Sequence, residues 1–179
     1  MYSTNSASMK RRMIALLIDY LIIMAYGAFL LSISFLLGHP LNPLFENSAM
    51  VAQTAGFIFV TLPVFLYFFL TESSSLGGTI GKKKMSLKVV CINGLKLKRG
   101  RSFMRSFIKF LPWELAHFGV YRLILPTNIS ESTIVTLLVV VNMITMLYLI
   151  TPMFNRERKS VYDWLAGTKV VKEEADEQI

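Results

Sequence analysis

The sequence predicts an all-α integral membrane protein: a four-helix transmembrane bundle whose third helix is charged, with a small cytoplasmic β-hairpin. Three observations carry that reading. Of 179 residues, 54% are hydrophobic and only 17% charged, and the mean hydropathy of +0.52 is well above that of a soluble domain. The charges are bunched between long apolar runs instead of being spread over an amphipathic surface. The longest charged loop carries a Val- and Ile-rich stretch followed by Asn93-Gly94, the strongest short hairpin signal.

Counting residues places the spans. Met13 to Leu37 is a 25-residue run broken only by Asp19, and at the helical rise it reaches roughly 37 Å, enough to cross a ~30 Å hydrocarbon core with tilt. It is too long for a signal-peptide core and has no small-residue cleavage site at its end, so it is expected to be retained behind its basic start, Lys10-Arg11-Arg12. Ala49 to Thr71 and Thr133 to Met153 are runs of 23 and 21 residues free of charge, and both read as spans. The stretch 102–125 is apolar on average but carries Arg105, Lys109, Glu114, His117, Arg122 and Pro112, so it either spans as a protein-buried helix or lies along the interface. Charge placement favours spanning. Lys and Arg concentrate before the first span, from Lys82 to Arg101, and after the last span, whereas His39 to Ser48 and Pro126 to Ser132 contain none. By the positive-inside rule the basic segments are cytoplasmic, and the chain must cross between Arg101 and Pro126.

The expected organisation is a cytoplasmic N-terminus over 1–12, a membrane domain over 13–171 and an acidic cytoplasmic tail over 172–179. The membrane domain holds spans near 13–37, 49–71, 102–125 and 133–153 and a cytoplasmic loop over 72–101. In that loop Met85 to Ile92 and Leu95 to Lys98 are expected to pair about Asn93-Gly94. After the last span, Val161, Trp164 and Leu165 recur at helical spacing, Gly167 is a helix stop, and Thr168 to Val171 reads as extended.

Several function classes are excluded or weakened. The single cysteine, Cys91, rules out an intrachain disulfide framework, and no Cys/His spacing suggests a metal. Gly77 to Lys82 invites a phosphate-loop reading but fails on spacing, because Leu76 stands five before Gly81 and Lys83 follows Lys82. The net charge of +8 is distributed as topology demands, with no aromatic-basic face for nucleic acid. No nucleophile, paired-carboxylate or cofactor pattern supports an enzyme. The implied surroundings are the lipid bilayer, with Na+ or H+ as candidate ligands and a homodimer or another membrane protein as candidate partner.

Buried charge carries what chemistry remains. A lone carboxylate such as Asp19 inside a span costs about 2.5–3.5 kcal/mol on insertion scales, so it is either paired or protonated. A fixed pair would lock helices together, and a switching one would couple to protons. Glu114 and His117, three apart, share a helix face. They form either a proton-passing pair or a hydrogen-bonded pair that only buries its charge.

Three short motifs in order resemble the RDD family of membrane proteins. They are Arg12-x-x-Ala15-x-x-Ile18-Asp19, then Gly78-Thr79-Ile80-Gly81-Lys82 with Leu87-Lys88-Val89-Val90 and Asn93-Gly94, then Asp163-Trp164-Leu165-Ala166-Gly167-Thr168-Lys169. The arginine and two aspartates of the family name fall on Arg12, Asp19 and Asp163. Ser86 stands where members commonly have glycine. The resemblance implies a small multi-pass protein of the bacterial cytoplasmic membrane, both termini cytoplasmic, for which transport, including cation/proton exchange, has been suggested. On that basis Asp163 is expected to pair with Arg12 beneath the first span, leaving Asp19 to titrate, with Gly78, Thr79, Gly81 and Lys82 shaping the inner mouth. The competing expectation is a non-transporting accessory that binds or regulates another membrane protein, its buried charges purely structural.

Overall fold

The computed structural model describes residues 7–173. It is mostly helical with one two-stranded antiparallel sheet. Helix α1, Met9–Leu36, begins where the Ser8 hydroxyl accepts from Arg11 N–H at 3.4 Å, so Lys10 to Arg12 form the first turn of the helix itself. It ends at Gly38 and His39, both at positive φ, and the short α2, Asn42–Glu46, lies in the connection that follows.

The second long helical unit is α3, Ala49–Gly56, a π-helical turn over Phe57–Thr61, and α4, Leu62–Ser73. Pro63 explains the turn. Its ring excludes the carbonyl four residues back and it has no N–H to donate, so the ladder widens locally and Leu62 N–H reaches back to Phe57 O. The carbonyl of Phe59 is released, and Tyr26 of α1 donates its hydroxyl to it at 2.7 Å.

After the turn come α5, Ile80–Lys84, strand β1, Leu87–Cys91, and α6, Arg99–Ile124. Helix α7, Glu131–Phe154, starts at a Ser130 cap that accepts from Thr133 N–H. Helix α8, Val161–Ala166, stops at Gly167 in the left-handed region, and strand β2, Thr168–Lys172, follows.

Among the described residues three helical units are long and apolar enough to cross a membrane: Met9–Leu36, Ala49–Ser73 and Glu131–Phe154. α6 is too charged to join them on composition, but its 26 residues reach about 39 Å. It runs antiparallel to both neighbours. At its start Ser102 donates to Phe69 O and Tyr148 donates to Ile108 O; near its end Arg122 meets Gln53 and the Tyr121 ring meets Phe45. α6 therefore runs lengthwise beside α3–α4 and α7 and not flat across one end of the bundle.

The expected hairpin is replaced. The turn at Asn93-Gly94 forms, with Gly94 N–H on Cys91 O and Cys91 N–H on Leu95 O, but the returning chain makes only an isolated bridge, Val90 to Lys96. β1 pairs along its whole length with β2, Val89 opposite Val170. The reason is burial. Leu95 and Lys96 are exposed, whereas Val170 and Val171 are buried and Val170 joins Leu87, Val89 and Cys91 in a small core with Ala7, Ala15 and Leu97. A strand with two apolar faces to cover takes the partner that supplies apolar side chains, not the nearest one.

The tail helix forms where expected, but its buried side is Asp163 and Ala166, and Trp164 and Leu165 point outward. Of the acidic tail, Glu173 folds back onto the sheet; the stretch 174–179 lies outside the described residues.

Candidate functional site

At the end of the bundle that bears α5, α8 and the sheet, the buried carboxylates Asp19, Glu72 and Asp163 draw partners from other elements. Asp19, nearly three turns into α1, is 3% exposed. Its Oδ1 accepts from the Tyr67 hydroxyl of α4 at 2.8 Å and from Gly81 N–H at 3.0 Å, and its Oδ2 accepts from the Thr79 hydroxyl at 2.6 Å. Thr79 is also the N-cap of α5. Thus the Gly78-to-Lys82 motif wraps a carboxylate with neutral donors, and among the described residues no Lys or Arg nitrogen lies within ion-pair distance of Asp19. Gly81 makes the approach possible: a Cβ there would lie 2.2 Å from Ala15 O and 2.9 Å from Asp19 Oδ1. Gly78 packs under β1, where a Cβ would come 3.1 Å from Leu87 O.

The second cluster is ionic and buried. Arg105 of α6 donates Nη1 to Glu72 Oε2 of α4 at 2.5 Å and Nε to Asp163 Oδ1 of α8 at 2.9 Å. Lys82 of α5 pairs with the other oxygen of Glu72. Asp163 Oδ2 accepts from Ser160 N–H, half of a capping box, and its Oδ1 also takes the Thr168 hydroxyl. Four elements, α4, α5, α6 and α8, are therefore latched through one guanidinium, one ammonium and two carboxylates.

Here the expected Arg12–Asp163 pair is corrected. Asp163 is already saturated by Arg105, Ser160 and Thr168, and Arg12 donates Nη2 to the carbonyl of Val170 at 3.2 Å. Arg12 sits under the sheet but serves its backbone, because Arg105, in the second turn of α6, occupies Asp163 instead. Glu72 and Arg105 are the residues that sequence reasoning missed. The available signal was an acid and a base, each alone at the border of an apolar run, at matching depth in two antiparallel helices.

Glu114 and His117 belong to a separate chain in the other half of the bundle. Thr61 donates to Glu114 Oε2 at 2.9 Å and lies 3.5 Å from His117 Nδ1, Gln53 donates to Glu114 Oε1, and Arg122 donates to Gln53 Oε1 at 2.8 Å. The π-helical turn ends at Thr61, which is buried against α6. The Glu114–His117 contact itself is only 3.8 Å; Thr61 joins the two.

Among the described residues no group of His, Cys, Asp and Glu is placed to hold a metal ion. Arg12, Asp19, Lys82 and Arg105 face a partly open cavity of about 230 Å³ between α1 and α7. Several apolar helices, joined at one end by a latch of buried charge, define a small multi-pass membrane protein.

The chain belongs to the RDD family, whose model matches residues 6–167. No curated protein and no solved structure matches it.

Proposed function

We propose that this RDD protein is a non-transporting accessory or regulatory unit of the membrane, not a cation exchanger driven by Asp19. One observation carries the reading: Asp19, Glu72 and Asp163 have both oxygens occupied by donors of the protein itself. A hard cation is bound by several oxygens turned toward it, and an exchanging carboxylate must trade that cation for a proton. The three inner acids instead hold four elements and α1 in register, the work of a rigid scaffold. The charge asymmetry of the bundle, with Lys and Arg around α5, β1 and α8 and none between 38 and 48, supports four crossings with both termini on the cytoplasmic side. A bacterial cytoplasmic membrane is the setting that the family suggests, and a second copy or another membrane protein is the partner class.

A specific observation favours a second reading. The Thr61–Glu114–His117 chain lies beside the π-helical turn and joins an acid to an imidazole, an arrangement able to pass protons.

Dye-reported proton movement in inverted vesicles, challenged in turn with Na+, K+ and Li+, tests both. The expected result is no cation-dependent collapse of the gradient by the native protein. Collapse abolished by Asp19→Asn in a folded protein would restore Asp19-driven exchange. Collapse abolished by Glu114→Gln alone would move the proton path to the other half of the bundle.

A further inference from the structure

The cavity between α1 and α7 has a use for which neither assembly nor exchange is needed. Four cations line it, Arg12, Lys82, Arg105 and Lys109. The carboxylates there are Asp19 on its wall and Glu72 and Asp163 behind Lys82 and Arg105. By formal count, four against three leaves one basic group without a carboxylate, and the contacts identify it. Lys109 makes no hydrogen bond or ion pair among the described residues; its Nζ rests 3.3 Å from the centroid of the buried Phe68 ring. A ring face offsets part of the desolvation of an ammonium, but it does not accept a hydrogen bond from three N–H groups. Arg12 repeats the pattern. One Nη is used on Val170, and its Nε is buried with no hydrogen-bond partner. Two cationic donors from different helices thus face one cavity with capacity to spare, and the carboxylates that could quench them are already engaged.

The remaining wall is mostly apolar, with Thr145, Tyr148 and Tyr162 its polar members. Leu16 of α1 and Leu149 of α7 flank the space, and α1 and α7 do not pack closely on one another. Met13 and Leu149 at the rim are both exposed on the outer face of the bundle. The volume, about 230 Å³, is below the roughly 300–1,000 Å³ of pockets that enclose drug-sized ligands. It admits a small anionic group, and an attached chain would extend over the apolar rim.

From this we infer that the cavity between α1 and α7 is a binding site for a phosphate group, received by Lys109 and Arg12. Phosphate offers several acceptor oxygens around one centre, which suits donors that converge from two helices. Carried by an anionic phospholipid, it enters sideways between α1 and α7; carried by a small soluble phosphate, it enters from the basic end.

The test uses the full-length protein, purified in detergent and stripped of lipid. Native mass spectrometry follows its titration with phosphatidylglycerol and with phosphatidylcholine of the same acyl chains. Equilibrium dialysis follows inorganic phosphate. Lys109→Met is the informative variant, because Lys109 supports no contact in the latch, and exposed Lys96→Met controls for general surface charge. Phosphatidylglycerol should bind in preference to phosphatidylcholine, and Lys109→Met should weaken that binding about tenfold, the loss of one charged partner, with Lys96→Met unchanged. Inorganic phosphate binding with the same dependence on Lys109 would support the site and assign it to a soluble ligand. If Lys109→Met does not fold, Lys109→Gln takes its place, and Lys109→Arg should retain binding. Equal uptake of both lipids with no phosphate bound, or binding indifferent to residue 109 in a folded variant, would overturn the inference. These readouts record binding alone, so a proton-flux result in vesicles leaves them unaffected.

Discussion

Ser86 shows how far one residue can be read. The backbone there is left-handed, φ 53, in an exposed turn between α5 and β1. A left-handed non-glycine residue costs about 1–2 kcal/mol, and glycine returns some 0.4–1 kcal/mol of that as unfolded-state entropy. Ser86→Gly is therefore expected to stabilise the protein by about 0.5–1 kcal/mol, seen as a higher midpoint in thermal unfolding; a lower midpoint would contradict the assignment. Asp19 is the opposite case. The sequence marks it as an acid that needs a partner, yet nothing in the spacing says whether that partner is a cation, a proton or a set of neutral donors. Gly81 was equally visible as a motif residue, but its reason, a backbone contact with Ala15 that leaves no room for a Cβ, belongs to the packing of α5 across α1.

At the scale of elements, the Glu72–Arg105–Asp163 cluster ties α4, α6 and α8 together. Removing one member of a buried pair leaves uncompensated charge and costs about 3–5 kcal/mol. Arg105→Met should lose an amount of that order in chemical or thermal unfolding, whereas Lys109→Met, which breaks no ion pair, should unfold close to the native midpoint. A milder clamp closes the sheet. Glu173 accepts from Lys83 and Lys88, each at 3.0 Å, and its N–H donates to Ser86 O. Burial pushes the Glu173 carboxyl up, but the two lysines outweigh it and hold it below the ordinary 4.5. A carboxyl whose value is lowered on folding contributes stability that is full above its unfolded value and lost as pH falls through the folded one. The stability difference between the native protein and Glu173→Gln should thus be constant well above pH 4.5 and vanish on acidification. A difference that persists in acid would mean that Glu173 acts through something other than its charge. The π-helical turn is a third element-scale feature. Pro63 was present in the sequence, but reading it as a widened turn requires knowing that Tyr26 takes the released carbonyl of Phe59.

For the whole molecule, α6 decides the topology, since its contacts run the length of both α3–α4 and α7. With Ser130 at the end remote from the basic cluster, Ser130→Cys should react with an impermeant thiol reagent added outside sealed cells, against little background from the buried Cys91. No reaction in intact cells, with reaction after lysis, would reverse the bundle or remove a crossing. The sequence by itself determined the apolar spans, the basic and uncharged ends, the helix over 161–166 and the family motifs, because hydropathy, helical spacing and turn chemistry are properties of neighbouring residues along the chain. The tertiary structure alone decided that β1 pairs with β2, that Asp163 meets Arg105 and not Arg12, and that Asp19 is held by Tyr67, Thr79 and Gly81. A buried charge or an open strand edge takes whichever partner the packed helices bring within reach, and that proximity joins residues dozens of positions apart, where no local pattern records it.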